Sequence, residues 1–246
     1  MTDRLNSMEQ DRSNETPIED GSRRLFLGRG AAVIAGGAAA LVIGQSQAQA
    51  SKKPPKPPKG GGGQDGGFIP QPYPESNRRY FQEIQKDENT HVPAIIGILG
   101  SNARPKPTFK NLEAMDVFQF VTMSAIFENT GSGAYNGAAK YINNRQYLGA
   151  ATSIALVEAY HSGYLNSITR GDLVPNAGSF VGMLSVAQVF AAVSPFIVSL
   201  NNGPQLGFDP VVSDANDIAI LNTALALEYL EQEFYNINVP KFLPFL

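Results

Sequence analysis

The 246-residue chain contains two histidines, and each follows a glutamate by three residues: Glu88-Asn89-Thr90-His91 and Glu158-Ala159-Tyr160-His161. At i and i+3 of a helix both side chains leave the same face, one turn apart. A carboxylate and an imidazole so placed can converge on one metal ion. Glutamate is 12 of 246 residues, so two such pairs using every histidine lie far outside chance. The pattern requires two helices, each turning its motif inward.

Two further glutamates stand where charge is unexpected. Glu128 follows the apolar run Phe118–Phe127, and Glu228 follows Ile220–Leu227. Each has apolar residues at −3 and −7: Ala125 and Val121 for Glu128, Leu225 and Leu221 for Glu228. Each is followed seven residues later by a tyrosine, Tyr135 and Tyr235, on nearly the same helical stripe. Both glutamates are therefore expected inside, where a carboxylate needs a partner. The competing reading puts Glu128 at a solvated helix tip and Glu228 on a polar edge with Glu231 and Glu233. The tyrosines serve as hydrogen-bond or electron donors, or simply as core aromatics. The spacing repeats: 70 residues separate the two histidines, and 100 separate Glu128 from Glu228 and Tyr135 from Tyr235. That is the signature of two equivalent helix pairs.

Elsewhere the chain also reads as helix. Segments are expected over 77–99, with Pro93 kinking it, over 112–130 up to Gly131-Ser132-Gly133, over 144–168, and over 214–235 behind a Ser213-Asp214 cap. A fifth, 180–200, is almost wholly apolar and as long as a membrane span. Ser185, Gln188, Ser194 and Pro195 interrupt it and basic flanks are missing, so it is read as covering the bundle or forming a homodimer interface. No stretch alternates as a strand. The expected class is all-α, a four-helix bundle plus one extra apolar helix. With no cysteine, disulfides, thiolate metal sites and cysteine nucleophiles are excluded. A net charge of −3 gives no electrostatic footprint for nucleic acid.

The first 50 residues read as an export leader. Ser22-Arg23-Arg24-Leu25-Phe26-Leu27 precedes a mild Gly/Ala-rich run from Gly30 to Gly44, and Ala48-Gln49-Ala50 fits a cleavage site. The segment resembles a bacterial twin-arginine (Tat) signal. That resemblance implies passage through the Tat translocase, in the folded state, to the periplasm or the exterior. Residues 51–75, rich in Pro, Lys and Gly, read as a linker, and 76–246 as the domain.

Two helices giving one glutamate each, and two giving Glu-x-x-His, make up the ligand set of a carboxylate-bridged pair of iron or manganese ions. With Leu225-Ala-Leu-Glu228-Tyr-Leu-Glu231, Asp87-Glu88-x-x-His91, Phe127-Glu128-Asn-Thr-Gly131 and Ala155-Leu-Val-Glu158-Ala-Tyr-His161, the chain resembles the ferritin-like domain family. The nearest subgroup is the exported one that includes plant desiccation-related proteins. The resemblance implies Glu88, His91, Glu128, Glu158, His161 and Glu228 as ligands. It also implies Asp87 as a carboxylate that orients a ligand histidine; the corresponding position in the other motif is Val157. In the family, the helix with the first lone glutamate opens the domain; here it closes the chain. The expectation is therefore a circularly permuted bundle. The alternative is a fourth helix supplied across a dimer. Functionally, the set predicts an oxidoreductase acting on peroxide, dioxygen or ferrous iron. A second reading is a structural or stress-protective envelope protein whose metal is a staple.

Overall fold

The computed structural model describes Ile69, Gln71 and residues 75–246. The expected leader, and nearly all of the expected linker, lie outside the described residues. Among the described residues five α-helices dominate: α1 (Ser76–Leu99), α2 (Val117–Ala138), α3 (Arg145–Ile168), α4 (Val186–Val193) and α5 (Asp214–Phe242). The all-α expectation therefore holds. The one departure in kind is a two-stranded antiparallel ribbon, β1 (Thr108–Phe109) with β2 (Ile197–Ser199), too short to alternate visibly in sequence.

Capping explains where the helices begin. The Asp116 carboxylate accepts from the Gln119 N–H at α2, Asn144 from Gln146 and Tyr147 at α3, and Ser213 from Asn216 at α5. Each side chain satisfies donors that have no partner within the helix. The α1 helix continues past Pro93, whose ring leaves the Asn89 carbonyl without its usual donor.

Three expected segments differ from what is observed. The α2 helix starts five residues later than expected and runs through Gly131 and Gly133 to Ala138. Those glycines admit close neighbours rather than ending the helix. A Cβ at Gly133 would stand 2.8 Å from Leu184 Cγ, and one at Gly137 2.0 Å from the Leu184 carbonyl oxygen. The 180–200 helix shrinks to the eight residues of α4. Its start is fixed by a capping box in which Ser185 and Gln188 bond each other's backbone, and Ser194-Pro195 turn the chain out of the helix. Among the described residues no helix is long and apolar enough to cross a membrane. The α5 helix runs seven residues longer than expected, through Pro240.

Helices α1 and α5 pair closely, as do α2 and α3. Phe81 and Ile84 at the start of α1 share a core with Phe234 and Phe242 near the end of α5 and with Phe120 at the start of α2. Val92 and Ile95 share the second core with Leu221 and Leu225, and with Tyr135 and Ala138. Thus α1 and α2 run one way, and α3 and α5 the other. Parallel α1 and α2 require a long crossover, 100–116, which lies along α5. The buried Asn222 amide receives the Arg104 N–H at 2.7 Å; Asn238 receives Ala114 N–H at 2.8 Å and donates to the Leu112 carbonyl. The two asparagines stand about 24 Å apart along the helix and satisfy the crossover's backbone at both ends. The 3₁₀ turn Leu243–Phe245 returns to α1, and Leu246 joins the core around Phe81.

Candidate metal centre

Midway along the bundle, each long helix contributes one inward carboxylate. Glu88 (α1), Glu128 (α2), Glu158 (α3) and Glu228 (α5) are all fully buried. His91 and His161, each one turn after its own glutamate, are 7% exposed. The competing sequence reading is therefore excluded: Glu128 is not at a solvated tip and Glu228 is not on a polar edge.

The donor atoms fall into two groups. Glu88, Glu128, Glu158 and His161 form one, and Glu88, His91, Glu158 and Glu228 the other, with the donor atoms of each group within 4.8 Å of one another. Glu88 and Glu158 belong to both. All six residues expected from sequence are thus brought together, and the two carboxylates from the Glu-x-x-His motifs stand between two half-sites. His91 Nδ1 lies 3.1 Å from Glu228 Oε2 and 3.2 Å from Glu88 Oε2. His161 Nδ1 lies 3.1 Å from Glu128 Oε2 and 3.3 Å from Glu88 Oε1.

The pseudo-equivalence read from the 70- and 100-residue offsets appears here as geometry. The Tyr235 hydroxyl donates to Glu128 Oε1 at 2.6 Å, and the Tyr135 hydroxyl donates to Glu228 Oε1. Each tyrosine bonds the glutamate of the other's helix, so the tyrosines are hydrogen-bond donors to the centre rather than only core aromatics. Burial, reinforced by the charge of the glutamate it contacts, pushes each phenol well above its ordinary range and keeps it a donor.

Two positions break the equivalence. Asp87 Oδ2 stands 3.3 Å from His161 Nε2, so an Nε2–H donated to it turns Nδ1 inward. Val157 at the matching place offers His91 nothing of that kind. The second break is Glu231, which only the competing sequence reading placed, on a polar edge. It is 2% exposed, and its counterpart on α2 is Gly131. A Cβ at Gly131 would lie 2.3 Å from Glu158 Oε2 and 3.3 Å from Glu231 Oε1. The glycine therefore makes room for both carboxylates. The signal was present in sequence: Glu231 is one turn beyond Glu228 and shares its face.

Packing five carboxylates into one interior makes ionisation costly. Burial first, then the charge of Glu128, raises Glu88 to about 7. Glu158 and Glu231 lie well above the usual carboxylate range, again through burial and then through neighbouring carboxylates. Burial opposes charge on His161, yet Glu128 and Glu88 overcome it and push the imidazole up to about 12. His91 is raised in the same way by Glu158, Glu228 and Glu88. Glu88 Oε1, both Glu158 oxygens and Glu231 Oε2 are buried without a hydrogen-bond partner. Orphaned oxygens from shared carboxylates, with imidazole nitrogens facing the same point, suit divalent cations that accept mixed oxygen and nitrogen donors.

The sequence pattern of the ferritin-like domain matches residues 42–170. The matched stretch contains α1, α2 and α3; α5, with Glu228 and Glu231, lies beyond it. No curated protein and no solved structure matches the chain.

Proposed function

Because the chain belongs to the ferritin-like domain family, we propose that it holds a carboxylate-bridged pair of iron or manganese ions and works as an exported oxidoreductase on dioxygen, peroxide or ferrous iron. The observation that carries this is the pair of donor groups sharing Glu88 and Glu158. In this reading those two carboxylates bridge. Glu128 with His161, and Glu228 with His91, complete the two ends through Nδ1. Four glutamates against two divalent ions, with the buried Glu231 keeping its proton, leave the interior close to neutral, where an uncompensated charge is costly. A metal pair held there would pass electrons to dioxygen or peroxide and take them from ferrous iron or from a second peroxide. Tyr135 and Tyr235 hold Glu228 and Glu128 in place, and Asp87 keeps the His161 tautomer that turns Nδ1 inward.

Three finer statements belong to the same proposal. The subgroup is the exported, desiccation-related one. The chain reaches the periplasm or exterior by the twin-arginine route, whose signal falls outside the described residues. The helix order is a circular permutation, supported by α5 completing the centre from beyond the matched residues and by the C-terminus returning to α1.

Metal analysis of protein from its native compartment tests the core of the reading. Two iron or manganese ions per chain are expected, with turnover of peroxide, dioxygen or ferrous iron. Glu158→Ala should lose both ions and Glu228→Ala one. Equal retention in both variants would remove the shared-carboxylate arrangement.

A further inference from the structure

We propose that the seam between α2 and α5, beneath α4, is the entry for dioxygen to the centre. This inference rests on the reading that the centre holds redox-active metal, and it names which small oxidant the protein is built to admit. The seam is one of the two loosely packed sides of the bundle, the other lying between α1 and α3. The α1/α5 and α2/α3 pairs pack closely, whereas α2 and α5 meet loosely and are covered by the short α4 and the segment leading into it.

Two cavities lie along this seam. The larger, about 30 Å³, is lined by Tyr135, Leu184, Val189, Thr223, Ala224 and Leu227 among others. The smaller, about 10 Å³, shares Leu227 and reaches Gly131 and Glu231. Each touches a residue that contacts the centre. Tyr135 bonds Glu228, and Gly131 is the residue against which Glu158 rests. A water-sized guest needs roughly 10–15 Å³ on this measure, so the larger cavity suits a diatomic molecule and excludes an organic substrate.

The chemistry of the lining selects among small oxidants. Both side-chain hydroxyls on the larger cavity are engaged elsewhere: Tyr135 donates to Glu228, and Thr223 Oγ1 bonds the Ala219 carbonyl at 2.9 Å and the Gly207 backbone. Within the larger cavity peroxide or water would sit without its hydrogen bonds, at a cost of roughly 1–3 kcal/mol for each group left unpaired. Dioxygen loses none, and apolar cavities of this kind stay dry and accept apolar gases. Leu184 is the gate residue by position. Its N–H bonds the Gly133 carbonyl at 2.9 Å, and it rests on Gly133 and Gly137, so its side chain faces the bundle at the cavity wall.

The metal-free protein under xenon pressure, read by crystallography or xenon NMR, tests the cavity without any activity assay. Xenon should bind between Leu184 and Ala224. Ala224→Val should abolish that binding, and Leu184→Ala should enlarge it. In ferrous-loaded protein, stopped-flow absorbance should show oxidation by dioxygen slowed about tenfold in Ala224→Val, where two added methyl groups fill the space. Leu184→Ala should move the rate the other way, and peroxide should change less than about twofold in both variants. Absence of xenon from the wild-type cavity would overturn the proposal. So would equal slowing of both oxidants, or loss of xenon with an unchanged dioxygen rate. A protein that takes xenon but binds no metal would end the functional reading while leaving the seam as a gas site.

Discussion

Glu88 shows how one residue carries two opposed demands. Its carboxylate is fully buried beside other carboxylates, and its proton is held to about 7 against an ordinary 4.5. Between those values the folded chain binds a proton that the unfolded chain has released, so stability falls as pH rises through that window. His161 acts in the same direction. Raised from 6.5 to about 12, it contributes fully below 6.5, and its contribution is lost as pH rises toward 12. Metal ions require these groups deprotonated and replace the protons as counter-charge. The metal-free protein should therefore melt at progressively lower temperature from about pH 5 to about pH 8, while the metal-loaded protein should not. Thermal melts of both forms across that range check it. A metal-free protein that gains stability over the same range would contradict the buried-acid account. The six clustered residues were legible in sequence because apolar neighbours at −3 and −7, and histidine at +3, leave a carboxylate only one way to face. Glu231 was not read as buried, because Glu233 beside it suggested a wet edge. Its place one turn beyond Glu228 gave its face, but the space it fills is opened by a missing side chain on another helix, Gly131, which periodicity within one helix cannot report.

At the scale of elements, helix existence followed from periodicity and caps, and helix length did not. The apolar stretch 180–200 has the hydrophobicity of a long helix. Yet Ser185-x-x-Gln188 and Ser194-Pro195 are start and stop signals that enclose only eight helical residues, and these local signals decide the outcome. In α2 the error was the reverse. Gly131 and Gly133, read as a terminator, are contact positions: Gly131 lies against Glu158, and Gly133, with Gly137 one turn on, seats the chain at Leu184. This gives a clear expectation. Alanine would ordinarily improve a helix by about 1 kcal/mol over glycine. At Gly137 the added Cβ would meet the Leu184 carbonyl oxygen at 2.0 Å, backbone that cannot rotate aside. Gly137→Ala should therefore destabilise the domain by about 1–3 kcal/mol, as overpacking does. At Gly149, where a Cβ meets nothing within 4 Å, the same change should be neutral or stabilising. Denaturant melts of the two variants make the comparison.

The described domain is two antiparallel helix pairs related by a pseudo-twofold, joined by long crossovers because α1 runs with α2 and α3 with α5. Such a bundle has no intrinsic first helix. Its centre needs four carboxylates at one level, and any chain order that delivers them serves. The end of the chain supports this view: Phe242 and Leu246 share a core with Phe81 near the start of α1. A short linker from Leu246 to Glu75 is therefore feasible, and opening the chain between Pro204 and Gln205, both exposed, would place α5 ahead of α1. The cut leaves α4 attached to α3, and keeps on the α5 side the bonds from Thr223 to the Gly207 backbone and from Asn216 to Asp209. It does sever the run from the Arg104–Pro204 contact into α5, but Arg104 keeps its bonds to Asn222. Exchanging one closed loop for another of comparable length changes closure entropy by well under about 1 kcal/mol. The rearranged chain should consequently fold, melt within a few degrees of the parent and bind the same number of metal ions. A chain lacking α5 altogether should lose both the fold and stoichiometric binding, since Ile220, Leu221, Leu225 and Phe234 fill the core. Metal analysis and thermal melts of the two chains side by side decide the matter. A rearranged chain that folds but binds half the metal would mean that Glu228 reaches the centre only when α5 follows α4.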